Sequence, residues 1–373
     1  MTNATRFEPP RKKTRRRLCG VMIGALLVLS TMGCAERGLD APRIERLSAV
    51  DTIPAVPPNS VLRVATANLW GVSVLGFDWA ERIDLRFAEF AERLSHNEPP
   101  IDVVMIQEAW KDGARRDLLA HPGLTQGFPH RVDAVDQPGG SGLVILSRFP
   151  IEATRFHRFR AQGNCFKFWE GDCLSGKGVL AIRIRFGERA LWLGNTHLIA
   201  CYAATNDATK DCDRRDPNGD VRWSQIVEAR TFMESLTEDE PALLAGDFNL
   251  ARTSRHYLGM TNSRIPLDPE TSRTESPHKG TRFKDSAFAP RGWFESGGKD
   301  PIHSFNKGID YIWTRAGSTD QWGRHGKTKT IFSEPVELPS GEQIPLSDHP
   351  VLALPLCLIP LDQSPGPRPC DLP

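Results

Sequence analysis

The chain has 373 residues, 39% of them hydrophobic and 25% charged, with 47 Lys and Arg against 46 Asp and Glu. That length supports one large domain with a sizeable core. Residues 1–33 hold seven basic residues and one acidic, so the remainder carries 40 basic and 45 acidic residues, a net charge of −5. It therefore lacks the basic excess with which nucleic-acid binders neutralise phosphates, which disfavours nucleic acid as a partner.

Residues 1–33 read as an export signal rather than as part of the fold. A basic stretch at 11–17 precedes an apolar stretch at 21–29, and Ser30-Thr31-Met32-Gly33-Cys34 resembles a lipoprotein cleavage site. Thr14-Arg15-Arg16-Arg17-Leu18 also looks like a twin-arginine signal. Thr31 stands where such signals usually carry Leu, so three outcomes stay open. They are lipidation of Cys34 in the cell envelope, ordinary secretion to periplasm or medium, and an uncleaved anchor, for which the apolar stretch is short. Beyond Cys19 and Cys34, the cysteines Cys165, Cys173, Cys201, Cys212, Cys357 and Cys370 fall into three sequence-local couples. An exported protein can keep these as disulfides, and no Cys-x-x-Cys spacing suggests a cysteine metal site.

Residues 34–60, with Pro42, Pro54, Pro57 and Pro58, read as a tether, and 61–357 as the folded domain. Buried strands are expected at 61–68, 101–107, 142–147 and 155–159. A helix is expected over 78–94, where Ile83, Phe87, Phe90, Ala91 and Leu94 share one face. Strands at 179–186 and 190–195 flank Gly187-Glu188-Arg189, which reads as a hairpin turn. A second helix over 221–236 aligns Ile226, Ala229, Met233 and Leu236. Strands at 242–246, 309–313, 327–332 and 351–354 follow, with 261–299 read as an irregular surface loop. Residues 358–373 form a Pro-rich tail that a Cys357–Cys370 bridge would pin. Phe77 and Trp79 are expected inside, the usual fate of a large aromatic. The pattern fits an α/β fold in which two mostly antiparallel sheets pack face to face with helices on their outer faces.

Several of these strands end in groups capable of chemistry. Asn68 closes the first and Glu108 follows the second; a hard divalent cation such as Mg²⁺ takes oxygen ligands and needs few from protein. Asn195-Thr196-His197 and Gly246-Asp247-Phe248-Asn249 close two more, and Ser347-Asp348-His349 precedes the last. Asp247 and Asn249, two residues apart, point the same way if the strand continues. Asp348 beside His349 supplies a carboxylate and an imidazole, the usual general base near neutral pH. Asp310 reaches the same rim. Taken singly, each has an ordinary explanation: a solvated strand-end acid, an Asx turn, an edge histidine. The repetition at five strand ends is what points to one metal-dependent site.

The ordered set Asn-Leu-Trp-Gly, Gln-Glu, Ser-Gly-Leu-x-Ile-Leu-Ser-Arg, Thr-His-Leu, Gly-Asp-Phe-Asn, Ile-Asp-Tyr and Ser-Asp-His resembles the endonuclease/exonuclease/phosphatase superfamily over residues 61–354. The resemblance implies a four-layered α/β sandwich and phosphoester cleavage with Mg²⁺, as one ion or two, with Mn²⁺ or Co²⁺ as substitutes. Within it, Asn68-Leu69-Trp70-Gly71 with Arg82, Gln107-Glu108-Ala109-Trp110, the block 159–180, and Arg222, Gln225 and Glu228 look like the neutral sphingomyelinases. That implies hydrolysis of sphingomyelin or a related choline phospholipid at a membrane surface, by a monomer with no obligate protein partner. Glu108 and Asn68 would hold the metal. His349 would act as base, oriented by Asp348 and Asp247; Asn249 and His197 would donate to the phosphate, and Asp310 would support His197. Lys177 and Asp172 would bind substrate, although a surface ion pair explains them equally well. Ile199 and the acidic stretch 206–220 depart from the pattern and leave the headgroup open. Alternatives on the same motifs are a secreted nuclease, an inositol-phospholipid phosphatase, and a lipid-binding surface lipoprotein without activity.

Overall fold

Strands covered on both faces need apolar side chains on both, and the apolar runs of this chain meet that demand. The computed structural model describes residues 44–48, 60–74, 77–134, 140–163, 175–201, 216, 218–237, 239–250, 254–261, 293–298, 309–361 and 368–370. All belong to the unit Pro42–Pro373; the unit Met1–Ala41, with the expected export signal and Cys34, lies outside the described residues, as does Asp172.

The chain begins with β1 (Ile44–Ser48), β2 (Leu62–Asn68), β3 (Ser73–Val74), β4 (Phe77–Asp78), α1 (Ile83–Ser95) and β5 (Val103–Gln107). It continues through α2 (Asp112–Ala120), α3 (Pro122–Gly127), β6 (His130–Ala134), β7 (Val144–Ser147), β8 (Ile151–Arg158), β9 (Gly178–Phe186) and β10 (Arg189–His197). Next come α4 (Gly219–Leu236), β11 (Ala242–Asp247), a 3₁₀ turn (Arg255–Tyr257), α5 (Leu258–Thr261), β12 (Trp293–Gly298) and β13 (Asp310–Arg315). It ends with β14 (Asp320–Arg324), β15 (Lys329–Ile331), β16 (Val336–Glu337), β17 (Gln343–Ile344), β18 (Val351–Pro360) and β19 (Arg368–Pro369).

The first sheet runs β1-β6-β7-β5-β2-β18-β14-β19, with β15 also on β18; the second runs β12-β13-β11-β10-β9-β8. Both are mixed: β2–β5, β14–β19 and β10–β11 are parallel and the other pairs antiparallel. Period-two alternation sorts each strand into two layers. Val103 and Met105 of β5 meet Leu191 and Leu193 of β10 and Leu243 of β11 between the sheets. Val104 and Ile106 face the opposite way, onto Phe87 and Phe90 of α1 and Leu118 of α2. Trp192 and Leu244 face outward onto Ile226, Ala229 and Met233 of α4. The result is helix, sheet, sheet, helix, the four layers expected.

Some expectations change. Ile44–Ser48, within the segment read as a tether, adds β1 to β6 in antiparallel register. Helix α1 begins at Ile83 because β3 and β4 form a small hairpin and Arg82 is left-handed at φ 52°. That hairpin carries Phe77 and Trp79 outward, 75% and 56% exposed, against their expected burial. Trp293–Gly298, inside the expected irregular loop, is a strand paired with β13. The tail is pinned as expected: Cys357 and Cys370 form a disulfide, and Cys370 N donates to Arg324 O at 3.0 Å.

Candidate active site

The inter-sheet rows end in polar residues. Asn68 continues the row of Leu62 and Val64, His197 that of Leu191 and Leu193, and Asp247 that of Leu243 and Ala245. Asp310 precedes Ile312 on the same face of β13. Alternation therefore delivers all four side chains to one end of the inter-sheet space. Glu108 sits one step past β5 and would point to the helix layer; its left-handed backbone, φ 58°, turns it back. Register sets the spacing, because Asp247 pairs with both His197 and Asp310. Gly246 permits the close approach: at φ 141°, a Cβ there would lie 1.9 Å from Thr196 O. A Cβ on Gly71 would meet Glu108 O at 2.3 Å, which explains the glycine after Asn68-Leu69-Trp70.

Asn68 bridges the two central acids. Its Nδ2 donates to Glu108 Oε1 at 2.8 Å and to Asp247 Oδ2 at 3.1 Å, while its Oδ1 accepts from Trp70 N at 2.9 Å. Asn68, expected as an oxygen ligand beside Glu108, thus turns its amide nitrogen toward the acids. Burial and the nearby Asp348 charge push Glu108 up to about 7, against the Asn68 hydrogen bond and the charges of His349 and Lys177. Burial pushes Asp247 up to about 6, with His349 opposing and Asp310 adding.

His349 is held from the second sheet. Its Nδ1 is 2.9 Å from Asp310 Oδ2, and its Nε2 is 3.6 Å from Asp247 Oδ2. The carboxylate bonded to the imidazole is Asp310, where Asp348 and Asp247 were expected, and Asp310 lies against His349 rather than His197. The reason is topological: Asp310 and Asp247 are register partners, and His349 approaches both from the loop before β18. Asp348 Oδ1 instead lies 3.4 Å from Ser347 Oγ, and burial raises its pKa against the charges of His349 and Arg86. Burial disfavours charged His349, but Asp310, Asp247 and Asp348 outweigh it and hold the imidazole well above its ordinary value.

His197 behaves oppositely. Burial, then the charges of Lys177 and His349, keep it well below the ordinary histidine value, hence neutral. Lys177 Nζ is 3.0 Å from His197 Nε2, which makes that nitrogen the acceptor and places the ring proton on Nδ1. Trp110 packs against the imidazole, centroids 5.6 Å apart, with Lys177 Nζ 5.6 Å from the indole centroid. Lys177 Nζ and Asn249 Nδ2 both donate to Leu198 O at 3.0 Å, so ammonium and amide lie side by side.

Several residues of the quoted motifs, to which the sequence assigned no role, support the site. Gln107 Nε2 donates to Asn195 Oδ1 at 2.7 Å, and Asn195 Nδ2 donates to Ile106 O and Val144 O at 2.7 and 3.0 Å. This amide pair crosses between the sheets beneath the site. Arg222, Gln225 and Glu228 of α4 bond the backbone of Ile199, Ala200, Ala161 and Arg160, the segments flanking Lys177 and His197. Arg82 is exposed; the buried arginine at that end of α1 is Arg86.

Two overlapping groups could hold a cation, Glu108–His197–Asp247 and Asp247–Asp310–His349, with ligand atoms within 4.8 Å of one another. The residues fit a hard divalent ion. Among the described residues, Glu108 Oε2 is buried without a hydrogen-bond partner, and the carboxylate oxygens now serving Asn68 are cation ligands by type.

The model of the Endonuclease/Exonuclease/phosphatase family matches residues 65–349. A putative neutral sphingomyelinase of Drosophila melanogaster is 29% identical over 308 residues, 81% of this chain and 62% of that protein. Sphingomyelin phosphodiesterase 2 of Rattus norvegicus is 25% identical over 306 residues, 80% of this chain and 65% of that protein. The chain thus spans less than two thirds of these curated relatives. Sphingomyelinase C from Streptomyces griseocarneus shares the fold, at TM-score 0.51 and 19% identity over 79% of this chain and 99% of that one.

Proposed function

From a chain that belongs to the Endonuclease/Exonuclease/phosphatase family, we propose a metal-dependent phosphodiesterase that hydrolyses sphingomyelin or a related choline phospholipid to phosphocholine and a neutral lipid. The observation that carries the chemistry is the meeting of Glu108, Asp247 and His349 at one rim, with His349 Nδ1 bound to Asp310. The similarity to sphingomyelinases supports the lipid class.

Glu108, with Asn68 and Asp247 beside it, would hold Mg²⁺. Bound there, the ion would polarise a phosphate oxygen and stabilise the leaving alkoxide, and its charge would draw His349 toward its neutral form. Asp310 accepts from His349 Nδ1–H, which leaves Nε2 to take the proton of the attacking water. Asp247, 3.6 Å from that nitrogen, holds the water in line. Lys177 and Asn249, fixed on the Leu198 carbonyl, present positive charge and an amide proton to the phosphoryl oxygens where negative charge grows. His197, neutral beside Lys177, keeps that ammonium aimed.

The deciding experiment measures headgroup release from sphingomyelin, phosphatidylcholine, lysophosphatidylcholine and plasmid DNA, with and without EDTA. Phosphocholine release from sphingomyelin that EDTA abolishes is the expected result. Release of inorganic phosphate, or nicking of DNA without choline release, reassigns the substrate. The leader-like residues 1–33 support export to the cell envelope through Cys34, a reading that fractionation of a Cys34→Ala variant tests.

A further inference from the structure

We propose that Arg86 is a positioning residue that fixes the Asn68–Glu108 half of the site against the His349 half. The inference rests on the phosphodiesterase reading above. Arg86 lies in the first turn of α1 and is one of the largest fully buried side chains. A buried guanidinium is costly unless its donors are met, and here backbone carbonyls meet them. Nη1 donates to Leu69 O at 2.7 Å and Leu346 O at 3.2 Å, Nη2 to Trp70 O at 2.8 Å, and Nε to Glu81 O at 2.8 Å.

Those carbonyls belong to the two segments that must be brought together. Leu69 and Trp70 follow Asn68 directly, and Leu69 N donates to Gln107 O at 3.0 Å, which ties them to the end of β5 from which Glu108 departs. Leu346 stands three residues before His349. One planar, rigid fork therefore spans both halves, a job that a flexible ammonium cannot duplicate. The guanidinium also lies 5.0 Å from the Trp70 ring centroid, at a residue whose φ is 51°. Ser347 adds a second tie across the same gap: its Oγ donates to Asn68 O at 2.6 Å and accepts from His349 N at 3.1 Å. Arg86 thus acts through the backbone that carries Asn68 and His349, and misplacement of reacting groups lowers turnover more than it lowers substrate binding.

The test compares full-length wild type with Arg86→Lys, Arg86→Met and Ser347→Ala, on bis(4-nitrophenyl) phosphate and on sphingomyelin in mixed micelles, at saturating Mg²⁺. Arg86→Lys keeps the charge and loses the fork. It is expected to melt in one transition, hold KM within about threefold and lose at least about tenfold in kcat on both substrates. Arg86→Met loses more, and Ser347→Ala shows the same kcat-selective loss. If Arg86→Met does not fold, Arg86→Lys and Ser347→Ala decide. An active wild type whose folded Arg86→Lys keeps its kcat, or loses activity only in proportion to its unfolded fraction, overturns the assignment of Arg86 alone. A wild type silent on both substrates overturns the phosphodiesterase reading and this inference with it.

Discussion

His349 leads into the first sheet and Asp310 opens a strand of the second, yet His349 Nδ1 lies 2.9 Å from Asp310 Oδ2. The proposed proton-accepting unit is thus assembled across the sandwich. A chemical asymmetry follows between two aspartates that flank the same imidazole. Asp310→Asn turns the acceptor for Nδ1–H into an amide that can hold the wrong tautomer, and kcat should fall at least about 100-fold. Asp348→Asn, whose carboxylate hydrogen-bonds its own backbone amide and lies 3.4 Å from Ser347 Oγ, should cost less than about tenfold. Steady-state kinetics on one soluble diester compares the two, and an equal loss would refute the assignment of Asp310.

The proposed role of Glu108 ties catalysis to stability with opposite signs. Its folded pKa, about 7, lies above the ordinary 4.5, so in the cation-free protein its contribution is complete below pH 4.5 and is lost as pH rises through 7. Glu108→Gln removes that pH-dependent loss. At pH 8 the cation-free variant should be more stable than wild type, by at most about 3 kcal/mol, with the two converging near pH 4. Its turnover should fall at least about 100-fold. Denaturant melts at both pH values in EDTA check the first claim; a variant less stable at pH 8 would contradict it.

Cation binding should release protons. Glu108 at about 7 and Asp247 at about 6 are largely or half protonated at pH 6, and both must ionise to act as ligands. Calorimetric titration with Mg²⁺ in buffers of different ionisation enthalpy should show release of about one proton or more per ion from these two acids at pH 6 and almost none from them at pH 8.5. At the higher pH, His349, held well above its ordinary value, is the group still able to lose a proton. Affinity should strengthen over the same interval. A proton count that does not change with pH would show that neither acid takes part.

The amide pair beneath the site is a stability element. Asn195→Ala removes three buried hydrogen bonds, to the Ile106 and Val144 carbonyls and to Gln107 Nε2, although Gln107 Nε2 keeps Thr66 Oγ1 and Met105 O. Each lost bond is worth about 0.5–1.5 kcal/mol, and the truncation leaves a cavity, so the variant should lose at least about 2 kcal/mol in urea unfolding. A loss under about 0.5 kcal/mol would mean that neighbouring groups re-pair.

The fold was legible because strands buried on both faces write continuous apolar runs, and because each run stops at a polar residue that still obeys the alternation. Asn68, His197 and Asp247 could be picked out for that reason. The partner of His349 could not: Asp348 is its neighbour in sequence, while Asp310 reaches it only through the β11–β13 register and the face-to-face sheets. Arg86 was hidden by its own helix, since a charged residue at a buried helical position breaks the apolar stripe that marks the face. Phe77 and Trp79 misled in the opposite direction. Apolarity predicts burial, but a hairpin of two-residue strands has no inside in which to place them.

The alternation that delivers the site has a further consequence for how this chain can vary. An insertion or deletion of one residue within β2, β10 or β11 would swing the terminal amide, imidazole or carboxylate toward the helix layer and drive the outer row inward. Length changes of that kind should abolish turnover and packing together, so partially active intermediates are not available to mutation along those three segments. Drift in length is confined to the connections, and a library built by scanning single-codon deletions would record that boundary as a map of the chemistry.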